Sequence, residues 1–204
     1  MADSVLAMSD DQRRAWDTRY AEEEALWGAE ANRLLVELAT DLAPGRALDL
    51  GSGQGRNAFR LAAQGHAVTG LDLSPVAVEQ ANEIAAEHGL DATFVAVDLT
   101  AWDPAGEVWD LVVLAYLQVP EAVRQRVHAT AARALAPGGK LILIAHHLDN
   151  LSDGVGGPPY PEMLFTEDQL ADDFTGLEIE RNEKAIRPTE NGDAIDIVLI
   201  ARRA

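Results

Sequence analysis

Ala47-Leu48-Asp49-Leu50-Gly51-Ser52-Gly53-Gln54-Gly55-Arg56-Asn57 decides the fold of this chain, because an apolar strand runs into a glycine-rich turn that carries its own carboxylate. Glycines at alternate positions let the backbone bend sharply and come close to a bound molecule, as in nucleotide-binding βαβ units. A dinucleotide fingerprint, G-x-G-x-x-G, needs a sixth-place glycine where this chain has Arg56, and it presents bare amides and a helix N-terminus to a pyrophosphate. Asp49, two residues before the first glycine, repels that anion. It attracts instead a ligand with a cationic amine and no phosphate, and S-adenosylmethionine is such a molecule.

Outward from this turn, short apolar runs alternate with helical periodicity, the sign of an α/β fold with a parallel sheet. The pattern predicts strands at Ala47 to Leu50, Ala67 to Leu71, Thr93 to Val97, Leu111 to Leu114 and Leu141 to Ala145. Ser74-Pro75 reads as an N-cap with proline at the first helical position, opening a helix that Gly89 ends. A helix is predicted over Glu121 to Leu135, stopped at Pro137-Gly138-Gly139, and another begins at Thr166, where Gln169 completes a capping box. Leu177 to Arg181 and Ala194 to Ala201 look like a terminal hairpin, separated by the turn-rich Arg187 to Asp193. Two segments fall outside the alternation: residues 1 to 33, and His146 to Phe165, a loop of about twenty residues of the kind that is usually functional or disordered.

The composition narrows the partners. With 34 Asp and Glu against 16 Lys and Arg, the net charge is -18 and the arginines are scattered. Nucleic-acid binding draws on clustered cations, so no nucleic-acid partner is expected. No cysteine is present, which excludes disulfides, thiol nucleophiles and thiolate metal sites. Met1 to Gln12 lacks the basic and apolar regions of a signal peptide, so a cytoplasmic location is expected. The longest apolar runs, Leu111 to Leu117 and Leu141 to Ala145, fall far short of a membrane span. The 204 residues suit one domain, as a monomer or homodimer.

Ligands of open α/β sheets bind outside the carboxyl ends of the strands, where this sequence puts Asp49, Asp72 and Asp98. Asp72 follows Asp49 by 23 residues, the reach of an acid that accepts from ribose hydroxyls. Asp98 suits an exocyclic adenine amine and Asp49 the amino group of a methionine moiety, with the amides of Gly51 to Gly55 lining the path. The alternative for each acid is a turn cap.

Five motifs in order carry a resemblance over roughly residues 30 to 204: Leu48-Asp49-Leu50-Gly51-Ser52-Gly53-Gln54-Gly55, Gly70-Leu71-Asp72-Leu73-Ser74, Asp98-Leu99, Trp109-Asp110-Leu111-Val112 and Leu135-Ala136-Pro137-Gly138-Gly139-Lys140-Leu141. The chain is similar to the class I S-adenosylmethionine-dependent methyltransferases. That resemblance implies an α/β, doubly wound, Rossmann-like sheet of seven strands, mostly parallel with one antiparallel C-terminal strand, and helices on both faces. Within the family, Trp16-Asp17-Thr18-Arg19-Tyr20, Trp27-Gly28, Gly55-Arg56-Asn57 and His146-His147 resemble the tellurite-resistance and thiopurine methyltransferase group. A single domain is then expected over 1 to 204, with 1 to 33 a helical lid, 34 to 204 the core and 146 to 165 a substrate-side loop. The implied cofactor set is Trp16, Tyr20, Asp49, Gly51, Ser52, Gly53, Gly55, Arg56, Asn57, Asp72, Leu73, Asp98, Leu99 and Ala115, holding S-adenosylmethionine and its product S-adenosylhomocysteine. The chain departs from the group at Ser52, Gln54 and Gln118, where cysteine, glutamate and histidine are frequent. The last removes a titratable group near the substrate.

Some residues carry a second reading. Trp16, Tyr20 and Trp27, spaced four and seven apart, suit a helix face packed on the core. Asn57 reads as a cap, and Arg56 as the partner of a nearby acid. His146, His147 and Tyr116 are the candidate catalytic residues, with one histidine as base if the acceptor needs one. Neighbouring residues at a strand end face opposite ways, so one histidine is expected in a cleft and the other in the packing. His146, His147 and Asp149 rarely converge at such spacing, and no metal is expected. No G-x-S-x-G elbow exists. Ala115-Tyr116-Leu117-Gln118 in place of Asn-Pro-Pro-Tyr weighs against transfer to a base or amide nitrogen. The expected substrate is a small molecule. The competing functions are a non-catalytic domain that binds the cofactor or its product, and a nicotinamide-dependent oxidoreductase.

Overall fold

The structure, a computed structural model, describes residues 10–204, so the first nine residues of the expected lid lie outside the described residues. The chain begins with α1 (Asp10–Glu22) and α2 (Arg33–Ala39) and then alternates: β1 (Arg46–Leu50), α3 (Arg56–Ala63), β2 (Ala67–Asp72), α4 (Pro75–His88), β3 (Ala92–Ala96), β4 (Trp109–Ala115), α5 (Glu121–Ala134) and β5 (Leu135–His146). It closes with α6 (Asn150–Asp153), α7 (Glu167–Asp173), β6 (Glu178–Thr189) and β7 (Gly192–Arg202).

The seven strands lie in the order β3-β2-β1-β4-β5-β7-β6. Strands β1 to β5 pair in parallel, and β7 runs antiparallel to both β5 and β6. The order reverses between β1 and β4, which opens the ligand crevice beyond the carboxyl ends of those strands. Side chains alternate across the sheet. Leu48, Leu50, Val112, Leu114, Leu141 and Leu143 join Val127 and Ala131 of α5 and Leu170 of α7 on one face. Ala47, Leu111, Val113, Ile142 and Ile144 meet Leu35 of α2, Leu61 of α3 and Ala81 and Ala85 of α4 on the other. Each fully buried Leu or Ile of these layers contributes about 1.5–3 kcal/mol of transfer free energy, which makes the sheet a rigid base for the loops at its carboxyl edge.

The local signals for helix ends work as read. Ser74 caps α4 by accepting from the Ala77 amide, and Gly89 ends it in the left-handed conformation at φ +61°. Thr166 and Gln169 form both halves of the capping box on α7.

Elsewhere the boundaries differ. Helix α5 stops at Ala134 and Leu135 already pairs with Trp109, so Pro137 to Gly139 lie inside β5. The register shifts between Trp109 and Leu111, and Gly138 at φ +76° absorbs the irregularity. The hairpin is also longer than its hydrophobic pattern: β6 continues through Arg187 and Pro188, and Thr189 pairs with Gly192, leaving a two-residue loop. Pro188 is tolerated because β6 is an edge strand, where a missing N–H costs no ladder bond. The segment 146 to 165 contains α6 and a 3₁₀ turn at Pro161–Met163. Among the described residues no helix is long and apolar enough to cross a membrane.

Candidate functional site

The glycine turn leaves β1 with Gly51, Gly53 and Gly55 at φ +76°, +53° and +87°. A Cβ on Gly55 would stand 2.7 Å from Phe59 Cζ and 2.8 Å from Phe94 Cζ, so the position needs glycine for space as well as for backbone angle. Four of the turn amides expected to line the ligand's path are engaged within the protein. Gly51 and Ser52 donate to the Leu71 carbonyl at 2.8 and 3.0 Å, Gly55 donates to the Ser52 carbonyl at 3.0 Å, and Gly53 donates to Asp72 Oδ2 at 2.8 Å. The turn is thereby clamped onto the end of β2.

The three acids separate into different environments. Asp49 is buried, with Oδ2 lacking any hydrogen-bond partner. Burial, and secondarily the charge of Asp72, push its pKa from 3.8 up to about 7, against an opposing pull from Arg56. A buried carboxylate with a vacant acceptor suits a cationic amine, which would satisfy both its charge and its hydrogen bond. Asp72 accepts from the Ser74 amide at 2.9 Å through Oδ1 and from Gly53 through Oδ2. Burial raises its pKa and the amides partly offset that. Asp98 Oδ1 accepts from the amide and hydroxyl of Thr100 at 2.8 and 2.7 Å, which is the turn-cap geometry. Leu99 buries its side chain in the core beneath the sheet, whereas Leu73 and Ala115 are half-buried. Ser52 Oγ, like Asp49 Oδ2, is buried without a partner.

The N-terminal segment lies against this turn. Gln54 Oε1 accepts from the Leu26 amide at 3.0 Å, while Nε2 donates to the Glu23 and Glu24 carbonyls at 2.8 and 3.1 Å and to Gln80 Oε1 at 2.9 Å. Arg56 donates to the Trp27 carbonyl and to that of Glu30, so its partners are backbone oxygens and not the acid expected. Asn57 accepts from the Asn32 amide at 2.9 Å, and the residue at the α3 N-cap is Gly55. Tyr20 is buried against Gly53, with burial and the charge of Asp72 raising its pKa to about 12. Trp16 stacks on Tyr20 at 5.8 Å, and Arg19 lies over Trp16 at 4.7 Å. Trp27 lies beyond α1 and is 48% exposed, so the three aromatics do not share one helix face.

At the neighbouring strand ends, Tyr116 follows β4 at φ +59°. Its hydroxyl donates to Asp196 Oδ2 at 2.7 Å and accepts from Asn32 Nδ2 at 3.2 Å and Arg187 Nε at 3.1 Å. One donor and both acceptor positions are used, leaving the phenol no capacity for another partner. Burial, with the Asp196 charge, drives its pKa well above the usual range. Asp196 lies on β7 and is completely buried. Arg187 Nε donates to its Oδ2 at 2.6 Å, and His146 Nδ1 lies 3.0 Å from Oδ1 without the alignment of a formed hydrogen bond. Burial alone would raise Asp196, but these three neighbours outweigh it and hold the carboxyl below its ordinary value. His146 and Arg187 line a cavity of about 280 Å³ with Val155, Gly156, Gly157, Thr189 and Asn191.

The paired histidines divide as the strand alternation requires. His147 accepts from the Asp149 amide through Nδ1 at 3.0 Å and faces Glu167 Oε2 through Nε2 at 3.0 Å, so both ring nitrogens are engaged away from the cavity. His146, His147 and Asp149 do not share a site, because His146 turns to Asp196. Gln118 donates to the Met163 carbonyl at 2.9 Å. Sequence reading missed Asp196, Arg187 and Asn32. The signal for Asp196 was a lone carboxylate inside the apolar run Ile195-Asp196-Ile197-Val198. A second, wider groove of about 430 Å³ lies over α3, lined in part by Glu30, Arg56, Phe59, Arg60 and His88.

Comparison with known proteins places this geometry. A family profile described as a methyltransferase domain matches residues 47–139. The chain is 31% identical over 186 residues to thiocyanate methyltransferase 1 of Arabidopsis thaliana, covering 87% of this chain and 80% of that one. A structure from work on the conversion of a disulfide bond into a thioacetal group during echinomycin biosynthesis superposes with a TM-score of 0.77 at 26% identity, over 94% of this chain and 91% of the other. TehB from Haemophilus influenzae has the same fold, with a TM-score of 0.72 at 20% identity, over 93% of this chain and 67% of that one. With the glycine turn, the acids at the strand ends and a relative matched over four fifths of its length, the chain belongs to the class I S-adenosylmethionine-dependent methyltransferases.

Proposed function

We propose that the chain works as one domain that methylates a small acceptor held in the cavity beside His146. The observation that carries this reading is the buried carboxylate of Asp196, which gathers His146, Tyr116 and Arg187 at the carboxyl ends of strands next to the cofactor turn. When bound, S-adenosylmethionine supplies an electrophilic methyl group on a sulfonium. Asp49 would face its amino group and Asp72 its ribose, with Asp98, Leu73, Leu99 and Ala115 bordering the adenosine. Trp16 and Tyr20 would cover it as part of a lid that Gln54, Arg56 and Asn57 hold down.

Displacement at a methyl carbon is in line, so alignment of the acceptor supplies most of the acceleration. His146 is the one candidate base whose ring borders the cavity, and Asp196 is placed to balance the charge it gains on taking a proton from a thiol or hydroxyl. Arg187 lines the same cavity and favours an acceptor that arrives ionised. The matched thiocyanate methyltransferase supports a small sulfur or anionic acceptor. Tyr116, its hydrogen bonds all engaged, would shape the wall and move no proton.

The test offers the protein methyl-labelled S-adenosylmethionine with thiocyanate, hydrosulfide, thiophenol and a small phenol, and reads methylated product against S-adenosylhomocysteine formed. Stoichiometric product with at least one acceptor is expected, along with a loss of about 100-fold for the phenol, the acceptor that must lose a proton, in His146→Ala. Tight S-adenosylhomocysteine binding without transfer to any of them would favour the non-catalytic alternative.

A further inference from the structure

We propose that Asn150 is a positioning residue that sets the width of the acceptor cavity by clipping its loop wall to β7. This rests on reading the cavity beside His146 as the acceptor site. Asn150 opens α6, is buried, and uses the two ends of one side-chain amide on two different segments. Its Nδ2 donates to the Gly156 carbonyl at 2.8 Å, and its Oδ1 accepts from the Ile195 amide at 2.7 Å. Gly156 belongs to the cavity wall, and Ile195 precedes Asp196, the carboxylate that holds the opposite wall.

The packing around the clip leaves it little freedom. A Cβ on Gly154 would collide with the Asn150 side-chain oxygen, so the loop passes directly over the amide. Beyond it, Gly156 and Gly157 take φ +72° and +76°, and a Cβ on Gly157 would stand 2.8 Å from His146 Cδ2. Val155 donates its amide to the Asp193 carbonyl at 3.1 Å, and a Cβ on Gly192 would lie 3.2 Å from Val155 Cγ1. The loop is thus pressed between the imidazole and the hairpin turn. Asn150 is the side chain that ties it there from below. No other residue type reproduces the pair of bonds: aspartate accepts but does not donate, and glutamine is one methylene too long for the gap.

Asn150→Asp separates the two bonds, because it keeps the Ile195 contact and sets a carboxylate oxygen against the Gly156 carbonyl. Three quantities are measured in this variant and in Asn150→Ala: hydrogen exchange of the Val155 to Gly157 amides, affinity for S-adenosylhomocysteine, and KM and kcat with thiocyanate and thiophenol. The expected result is exchange at 155 to 157 at least tenfold faster, unchanged protection along β7 in the Asp variant, and S-adenosylhomocysteine affinity within twofold of wild type. The acceptor KM is expected to rise about tenfold while kcat changes little. A wholly structural role would lower cofactor affinity and acceptor affinity together, and that outcome overturns the proposal. So does undisturbed exchange at 155 to 157, whatever the activity does, and so does faster exchange with an unchanged acceptor KM. Absence of turnover by the wild-type protein contradicts the acceptor reading, while the exchange measurement still decides whether Asn150 clips the loop.

Discussion

The hydroxyl of Tyr116 donates to Asp196 at 2.7 Å, joining the end of β4 to the middle of β7 across 80 residues of chain. Removing it in Tyr116→Phe leaves the side-chain amide of Asn32 short of an acceptor and Asp196 short of a donor, while Arg187 keeps its bond to Asp196. The expected cost is about 1–3 kcal/mol of stability, measured by urea unfolding. Turnover is expected to fall by about tenfold or less with the shape of the pH profile retained. A loss beyond about 100-fold together with a vanished limb of that profile would assign Tyr116 a proton-transfer role.

Asp196 has the opposite profile, since it is the only anion among those contacts. Asp196→Asn keeps the size of the side chain and removes the charge that balances Arg187 in a buried setting. Breaking such a pair from one side costs about 3–5 kcal/mol, so the midpoint of denaturant unfolding should drop by an amount matching that loss. Arg187→Met in the same background should recover part of it. A double variant no more stable than Asp196→Asn alone would contradict the pairing.

Asp49 makes the free protein sensitive to pH. Its folded pKa of about 7 lies above its ordinary value of 3.8, so the folded state holds the proton more tightly than the unfolded chain. The stability from this group is fully present below about pH 3.8 and is lost progressively as pH rises through about 7. Asp49→Asn should remove that decline and raise the melting temperature of the ligand-free protein above neutral pH. Cofactor affinity should move the other way: in the wild type it increases through about pH 7 as the carboxylate ionises, and in the variant it is flat and at least about tenfold weaker at pH 8. Calorimetry with S-adenosylhomocysteine at pH 6 and 8 checks both signs.

Gly55→Ala tests the tight packing under the turn. The added methyl would meet Phe59 and Phe94 in a backbone conformation that strains any non-glycine residue. A destabilisation of about 1–3 kcal/mol is expected, accompanied by weaker S-adenosylhomocysteine binding. Unchanged thermal stability would show that the aromatic pair yields more easily than its edge-on packing at 5.6 Å suggests.

How legible each part was in the sequence follows from whether its cause is local. The Ser74-Pro75 start of α4 and the Thr166-Gln169 capping box depend on residues three apart, and both form as read. Buried strands announce themselves as apolar runs, which located β1, β2, β4 and the central part of β5. Strand β6 alternates poorly, carries Pro188 and ends near Asn191-Gly192, so its outer half reads as a turn; its true extent is set by pairing with β7, a contact distant in composition from its own residues. The same long-range cause hid Arg187 and Asn32, which reach the site only because three separate segments converge on Tyr116. The motif points to Asp49 and Asp72, but does not show that the amides of Gly51, Ser52, Gly53 and Gly55 are taken up by Leu71, Asp72 and Ser52, since hydrogen-bond partners do not follow from spacing.

In the proposed function the cofactor turn and the His146 cavity are two halves of one site meeting near Tyr116. A crystal structure with S-adenosylhomocysteine measures this directly, through the position of the ligand's sulfur. The expected result is a ligand seated against Asp49 and Asp72 beneath Tyr20, with the sulfur opening onto the cavity walled by His146, Arg187 and Val155 to Gly157. A sulfur facing the wider groove over α3, beside Arg60 and His88, would contradict it.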